Sequence, residues 1–142
     1  MVGEILLAHL VGDYIIQSDW MARRKVVAWW PAIVHGLTYT APFWLVTQSW
    51  AALAVIAGTH VVIDRFRLAR YVIWISNWAA PMKVQFRTGT ALIRVESSNP
   101  PWAECKATGF PASRPVWLAV WLMFIVDNTM HLLINVAAVA WL

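Results

Sequence analysis

Four stretches of this chain, at about residues 2–17, 26–46, 50–75 and 115–142, read as membrane-crossing helices, and each contains one histidine. A crossing helix needs about 20 predominantly apolar residues. The first stretch is shorter and only just crosses the hydrocarbon, so local thinning of the bilayer or tight packing is expected around it. Hydrophobic residues make up 61% of the 142 residues and charged residues 13%, against about 25% charged in an ordinary soluble domain. A soluble domain of this size could not hide that much apolar surface. The expected fold is therefore all-α: a single-domain integral membrane four-helix bundle, with one loop over residues 76–114.

Local signals refine this outline. Pro31 sits near the start of the second stretch, where a missing N–H costs little, and Pro42 is placed to kink it. Pro115 stands at a helix-start position. Residues 65–78 read either as an amphipathic helix on the membrane surface or as a helix end with snorkelling arginines. Gly12, Gly36 and Gly58 are expected where helices approach closely. Within the loop, residues 83–96 alternate around Gly89 as a small hairpin would, and Asn99, Pro100 and Pro101 read as extended coil. The start of the chain lacks a basic region, and His9 and Asp13 interrupt its apolar run, so it does not read as a secretory signal.

The basic residues give an orientation. Arg23, Arg24 and Lys25 lie between the first and second stretches, and the other eight lie between residues 65 and 114. Four crossings put both groups on one side, which the positive-inside rule makes cytoplasmic. Both termini then face outward, with Glu4 exposed at the outer end. The 11 tryptophans fall mainly near the two expected boundaries, as interfacial belts do. The net charge of +4 thus serves topology, and nucleic acid is not the expected partner. The one cysteine, Cys105, allows no intrachain disulfide and reads as an incidental thiol.

The chemistry lies inside the apolar stretches. Three of the four histidines have an aspartate four residues away: His9 with Asp13, His60 with Asp64, and His131 with Asp127. That spacing puts both groups on one helix face, and three such pairs by chance is roughly a one-in-a-thousand event. The aspartate of each pair lies nearer the cytoplasm and the histidine deeper. His35 joins from the second stretch. An ionised carboxylate in hydrocarbon is costly and seeks a partner. A divalent cation is the strongest partner available. Mixed imidazole and carboxylate donors suit zinc, manganese or iron. The expected ligands are His9, Asp13, His35, His60, Asp64, Asp127 and His131, enough for one ion or two bridged by a carboxylate. Gln17, Asn128 and Asn135 are expected as supporting hydrogen-bond groups. Asp19 lies beyond the first stretch and should be solvated. The chain has no Gly-rich phosphate loop, no HExxH pair and no Gly-x-Ser-x-Gly elbow.

Ala8-His-Leu-Val-Gly-Asp-Tyr-Ile-Ile-Gln-Ser-Asp-Trp-Met-Ala resembles the opening of a family of small bacterial and phage membrane proteins, domain-of-unknown-function family 3307. His35-Gly, Gly58-Thr-His-Val-Val-Ile-Asp-Arg-Phe-Arg-Leu-Ala-Arg-Tyr and Asp127-Asn-Thr-Met-His also resemble it, although Asn128 departs from the Asp-Gln-x-x-His form expected there. The resemblance implies a bacterial inner membrane or phage setting and implies these His and Asp positions as its recurrent residues. It implies no established activity. A looser similarity links the chain to membrane-bound metal-dependent hydrolases with His- and Asp-rich helices.

These readings converge on one expected function: metal-dependent hydrolysis of a lipid or lipid-phosphate substrate near the cytoplasmic leaflet. Asp13 or Asp64 would be the general base, and Arg65, Arg67 and Arg70 would hold the phosphate. Two other functions fit the same residues. One is a non-enzymatic phage or bacterial effector that binds another membrane protein, for which a homo-oligomer is also compatible. The other is a proton or ion pathway.

Overall fold

The structure is a computed structural model that describes residues 1–79 and 101–142, together with the backbone of residues 84–88 and 91–95. Among the described residues it is helical apart from one antiparallel hairpin. The chain divides into two compact units. The first comprises Met1–Leu68 and Asp127–Leu142, and the second Ala69–Val126.

Helix α1 (Val2–Leu10) continues without a break into a π-helical segment, Val11–Ile16. The backbone turns extended at Gln17, and Ser18 caps α2 (Asp19–Arg24) by accepting a hydrogen bond from the Met21 amide. Helix α3 (Trp29–Thr40) gives way to a 3₁₀ segment, Ala41–Leu45. Pro42 has no N–H to donate to the α ladder, so the backbone tightens where a kink was expected. Ser49 caps α4 (Trp50–Phe66). The stretch over 50–75 divides into two helices, in line with the separate amphipathic helix that residues 65–78 offered as one of two readings. Arg67 adopts a left-handed conformation (φ 51°), and the amides of Arg67 and Leu68 close onto the carbonyls of Asp64 and Ile63. Those bonds satisfy the last carbonyls of α4 and stop it. Helix α5 (Ala69–Ala79) then begins afresh.

Strands β1 (Val84–Thr88) and β2 (Ala91–Val95) pair antiparallel, with Thr88 opposite Ala91. This is the hairpin expected from the alternation. Gly89 and the coil expected at Asn99 and Pro100 lie outside the described residues. Helix α6 (Trp102–Cys105) is a single turn, and α7 (Val116–Trp141) has 26 residues. Among the described residues, α7 is the one helix long and apolar enough to cross a membrane. In the second unit, Tyr71 of α5 stacks on Trp102 at 4.6 Å. Gly109 has a positive φ of 82°, and a Cβ there would collide with the Arg70 carbonyl.

The first unit positions the site. Its apolar core comprises Ile5, Ala8, Tyr39, Phe43, Ala52, Leu53, Ile56 and Ala138. Beside that core His9, His35, His60, Asp64, His131 and Asn135 are also buried, while Leu7, Leu37, Val62 and Leu133 are exposed. Glycine sets two of the close approaches. A Cβ on Gly12 would lie 2.7 Å from the Tyr39 carbonyl oxygen, so the π segment rests directly on α3. One on Gly36 would collide with the Val61 side chain, so α3 and α4 pack tightly. Gly58 corrects the expectation made for it: nothing lies within 4 Å of its added Cβ, because that position faces away from the other helices.

Candidate metal centre

Four side-chain atoms from three segments point at one another. Asp13 Oδ1 of the π segment lies 3.2 Å from His35 Nε2 of α3 and 3.5 Å from His60 Nε2 of α4. The two imidazole nitrogens are 2.9 Å apart. Asp64 Oδ2, one turn along α4 from His60, lies 3.0 Å from His60 Nε2 and 3.3 Å from His35 Nε2. Donors held at about 2.0 Å from one tetrahedral ion lie roughly 3.3 Å from each other. The five separations therefore match the edges of a transition-metal site. Asp64 faces a second group through its other oxygen. His131 Nε2 of α7 is 3.6 Å from Asp64 Oδ1 and 3.6 Å from Asp127 Oδ2. His60, Asp64 and His131 thus form a second triad able to hold an ion, sharing His60 with the triad of Asp13, His35 and His60.

One buried atom supports a cation here. Among the described residues His131 Nε2 makes no hydrogen bond. A buried polar atom without a partner is costly, and an ion would satisfy it. Among the described residues His35 Nδ1 and His60 Nδ1 make no hydrogen bond either, and packing orients these rings. Tyr39 stacks on His60 with centroids 3.6 Å apart and planes 15° from parallel.

His9 leaves the cluster. Its Nδ1 is 3.6 Å from Asp13 Oδ2, too far for a hydrogen bond. Asn128 Oδ1, which only accepts, lies 2.7 Å from His9 Nε2, so Nε2 carries the proton. The Tyr39 hydroxyl then donates to Nδ1 at 2.8 Å and itself accepts from Asn135 Nδ2 at 2.6 Å. Tyr14 also donates to Asn128 Oδ1, at 2.7 Å. With both ring nitrogens occupied, His9 is a packing and hydrogen-bonding residue rather than a member of either triad. The π turn explains the difference from the spacing. Its wider turn rotates Asp13 away from strict register with His9, and such turns recur at functional sites. Asp127 lies at the rim, 30% exposed beside His131 at 2%.

The three arginines expected to hold phosphate have other partners. The Arg65 guanidinium donates to the carbonyls of Val26 and Val27, at 2.7 and 3.1 Å, and lies over the Trp29 ring. It therefore ties the end of α4 to the approach to α3. Arg70 donates to the Lys106 carbonyl and to the Tyr71 hydroxyl and packs over Trp102. Arg67 forms the left-handed cap. Asp19 is exposed and pairs with Arg23. Gln17 does reach the site, but through a residue the charge pattern did not single out. Lys25 donates to Gln17 Oε1 at 2.7 Å, and its Nζ lies 2.8 Å from Asp64 Oδ2 and 3.2 Å from His35 Nε2. The only sequence signal for it is a lysine at the edge of an apolar stretch, which topology alone accounts for.

The family described as Protein of unknown function (DUF3307) matches the chain over residues 1–93. That span contains Asp13, Lys25, His35, His60 and Asp64 and stops short of Asp127 and His131. No curated protein matches the chain. No solved structure matches it either.

Proposed function

The chain belongs to the DUF3307 family, and from the site it carries we propose that it is a membrane-embedded metal-dependent hydrolase acting on a lipid or lipid-phosphate substrate. The observation that carries this reading is the convergence of Asp13, His35, His60 and Asp64 at tetrahedral edge lengths. Zinc, manganese or iron(II) suits that donor set.

The membrane setting is supported by polar groups buried beneath an apolar surface. The first unit buries imidazoles and a carboxylate and exposes leucine, valine and tryptophan, the arrangement hydrocarbon favours. In this reading α1 with the π segment, α3 with the 3₁₀ segment, α4 and α7 each cross the inner membrane. The basic loops are cytoplasmic and both termini outside. The first three crossings are short. The 17 residues of α4 rise about 25 Å, which a locally thinned bilayer accommodates.

When bound, the ion would supply a water that ionises near neutral pH and a Lewis acid for a phosphoryl or acyl oxygen. The chain's own residues divide the remaining work. Asp64 is 5% exposed and sits between His35 and His60 on one side and His131 on the other, so it is a ligand and bridge. Asp13 is 13% exposed and is better placed to exchange a proton with an entering molecule. His131 and Asp127 complete a second position for an ion.

The test is release of phosphate from lipid phosphates in detergent–lipid micelles after metal reconstitution. Activity should fall at least a hundredfold in Asp13→Asn and His60→Ala, with the helical content unchanged. A metal-free, chelator-stable protein with no such activity would instead favour a non-enzymatic effector that binds a membrane partner. A proton pathway is a second reading, supported by the hydrogen-bonded file of Tyr14, Asn128, His9, Tyr39 and Asn135. It requires proton flux in liposomes that is lost in Tyr39→Phe.

A further inference from the structure

Lys25 has no role in the chemistry proposed above, yet it is built into the site. It follows α2 directly as its C-terminal cap, and its side chain is 16% exposed. Gln17, where the π segment ends, anchors the ammonium at 2.7 Å. From there Nζ reaches Asp64 Oδ2 at 2.8 Å and His35 Nε2 at 3.2 Å. Its neighbour Arg23 shows the ordinary alternative, an exposed side chain paired with Asp19 within α2. The ammonium thus faces two of the four atoms that would bind the ion. Asp13 and Asp64 bring two carboxylates close together, and without any cation their repulsion would drive the donors apart. A divalent ion and an ammonium sharing the same two atoms would repel each other strongly in a site this dry.

Resting on the metal reading, we propose that Lys25 is a tethered cation that holds the donors together when the ion is absent and is displaced when the ion binds. The chain would then stay folded without metal, and its metal affinity would be set by competition with its own lysine. Lys25→Met removes the competitor without much change in length. Lys25→Arg keeps the charge.

The experiment uses the full chain in detergent and zinc as the probe. Zinc affinity is measured by competition with a chelating dye, and thermal unfolding is followed in excess chelator. Lys25→Met should bind zinc at least tenfold more tightly than the wild type and unfold at a lower temperature in chelator. Lys25→Arg should match the wild type in chelator. Gln17→Met, which frees the ammonium from its anchor, should move both readouts in the same direction by less, and it carries the test if Lys25→Met does not fold. Zinc affinity that is unchanged or weaker in Lys25→Met and Gln17→Met overturns the proposal. A wild type that binds no zinc, manganese or iron would fail the metal reading instead. The unfolding in chelator would still show whether Lys25 holds the carboxylates together.

Discussion

His9 and His60 look alike in the sequence, each an apolar-stretch histidine four residues before an aspartate, yet they do different work. His60 Nε2 lies within 3.5 Å of Asp13, His35 and Asp64. His9 spends both ring nitrogens on Tyr39 and Asn128. His60→Ala should therefore abolish metal binding. His9→Ala should keep the metal stoichiometry and lower stability by about 1–3 kcal/mol, since it leaves buried hydrogen-bonding groups unmatched. Metal content and thermal unfolding of the two purified variants separate these outcomes. The pairing of His60 with Asp64 was legible from spacing, because i and i+4 positions share a helix face. Two things were not. The exclusion of His9 depends on a π turn, which periodicity does not reveal. The inclusion of Lys25 depends on Gln17 turning the chain back, and a lysine between two apolar stretches otherwise reads as a topological charge.

The close approach of the π segment to α3 and of α3 to α4 brings the donors together. Gly12 and Gly36 permit it, and Gly58 has no part in it. In Gly12→Ala the new methyl would press on the Tyr39 backbone, which cannot rotate away. The variant should lose about 1–3 kcal/mol and bind metal more weakly, because Asp13 is carried on the displaced segment. Gly58→Ala should be neutral or gain up to about 1 kcal/mol, since its surroundings are open and alanine favours the helix. Equal losses in both variants, measured by thermal unfolding, would contradict this packing. Helices occupy the apolar stretches, but their ends do not follow the apolar pattern. The break after Phe66 arises from a left-handed Arg67, a conformation that glycine usually signals and that an arginine conceals.

The first unit buries four histidines and Asp64 beside its apolar core and exposes leucine, valine and tryptophan, and the buried polar groups were foreshadowed by histidines and aspartates set in apolar stretches. Chain orientation rests on the basic residues alone. If both termini face outward, single cysteines introduced at Val2 and Leu142 should react with a membrane-impermeant maleimide in intact cells, whereas one at Arg24 should not. Native Cys105 will not confuse the readout. It is fully buried, and burial together with the Glu104 carboxylate pushes its thiol above the ordinary cysteine range. Labelling at Arg24 from outside would invert the orientation.

The proposed chemistry requires a cation among Asp13, His35, His60 and Asp64. The direct measurement is elemental analysis of the protein purified without chelator and again after dialysis with zinc, manganese or iron. One or two transition-metal ions per chain are predicted, with none in Asp64→Ala. A folded wild type that stays metal-free under all of these conditions would contradict it.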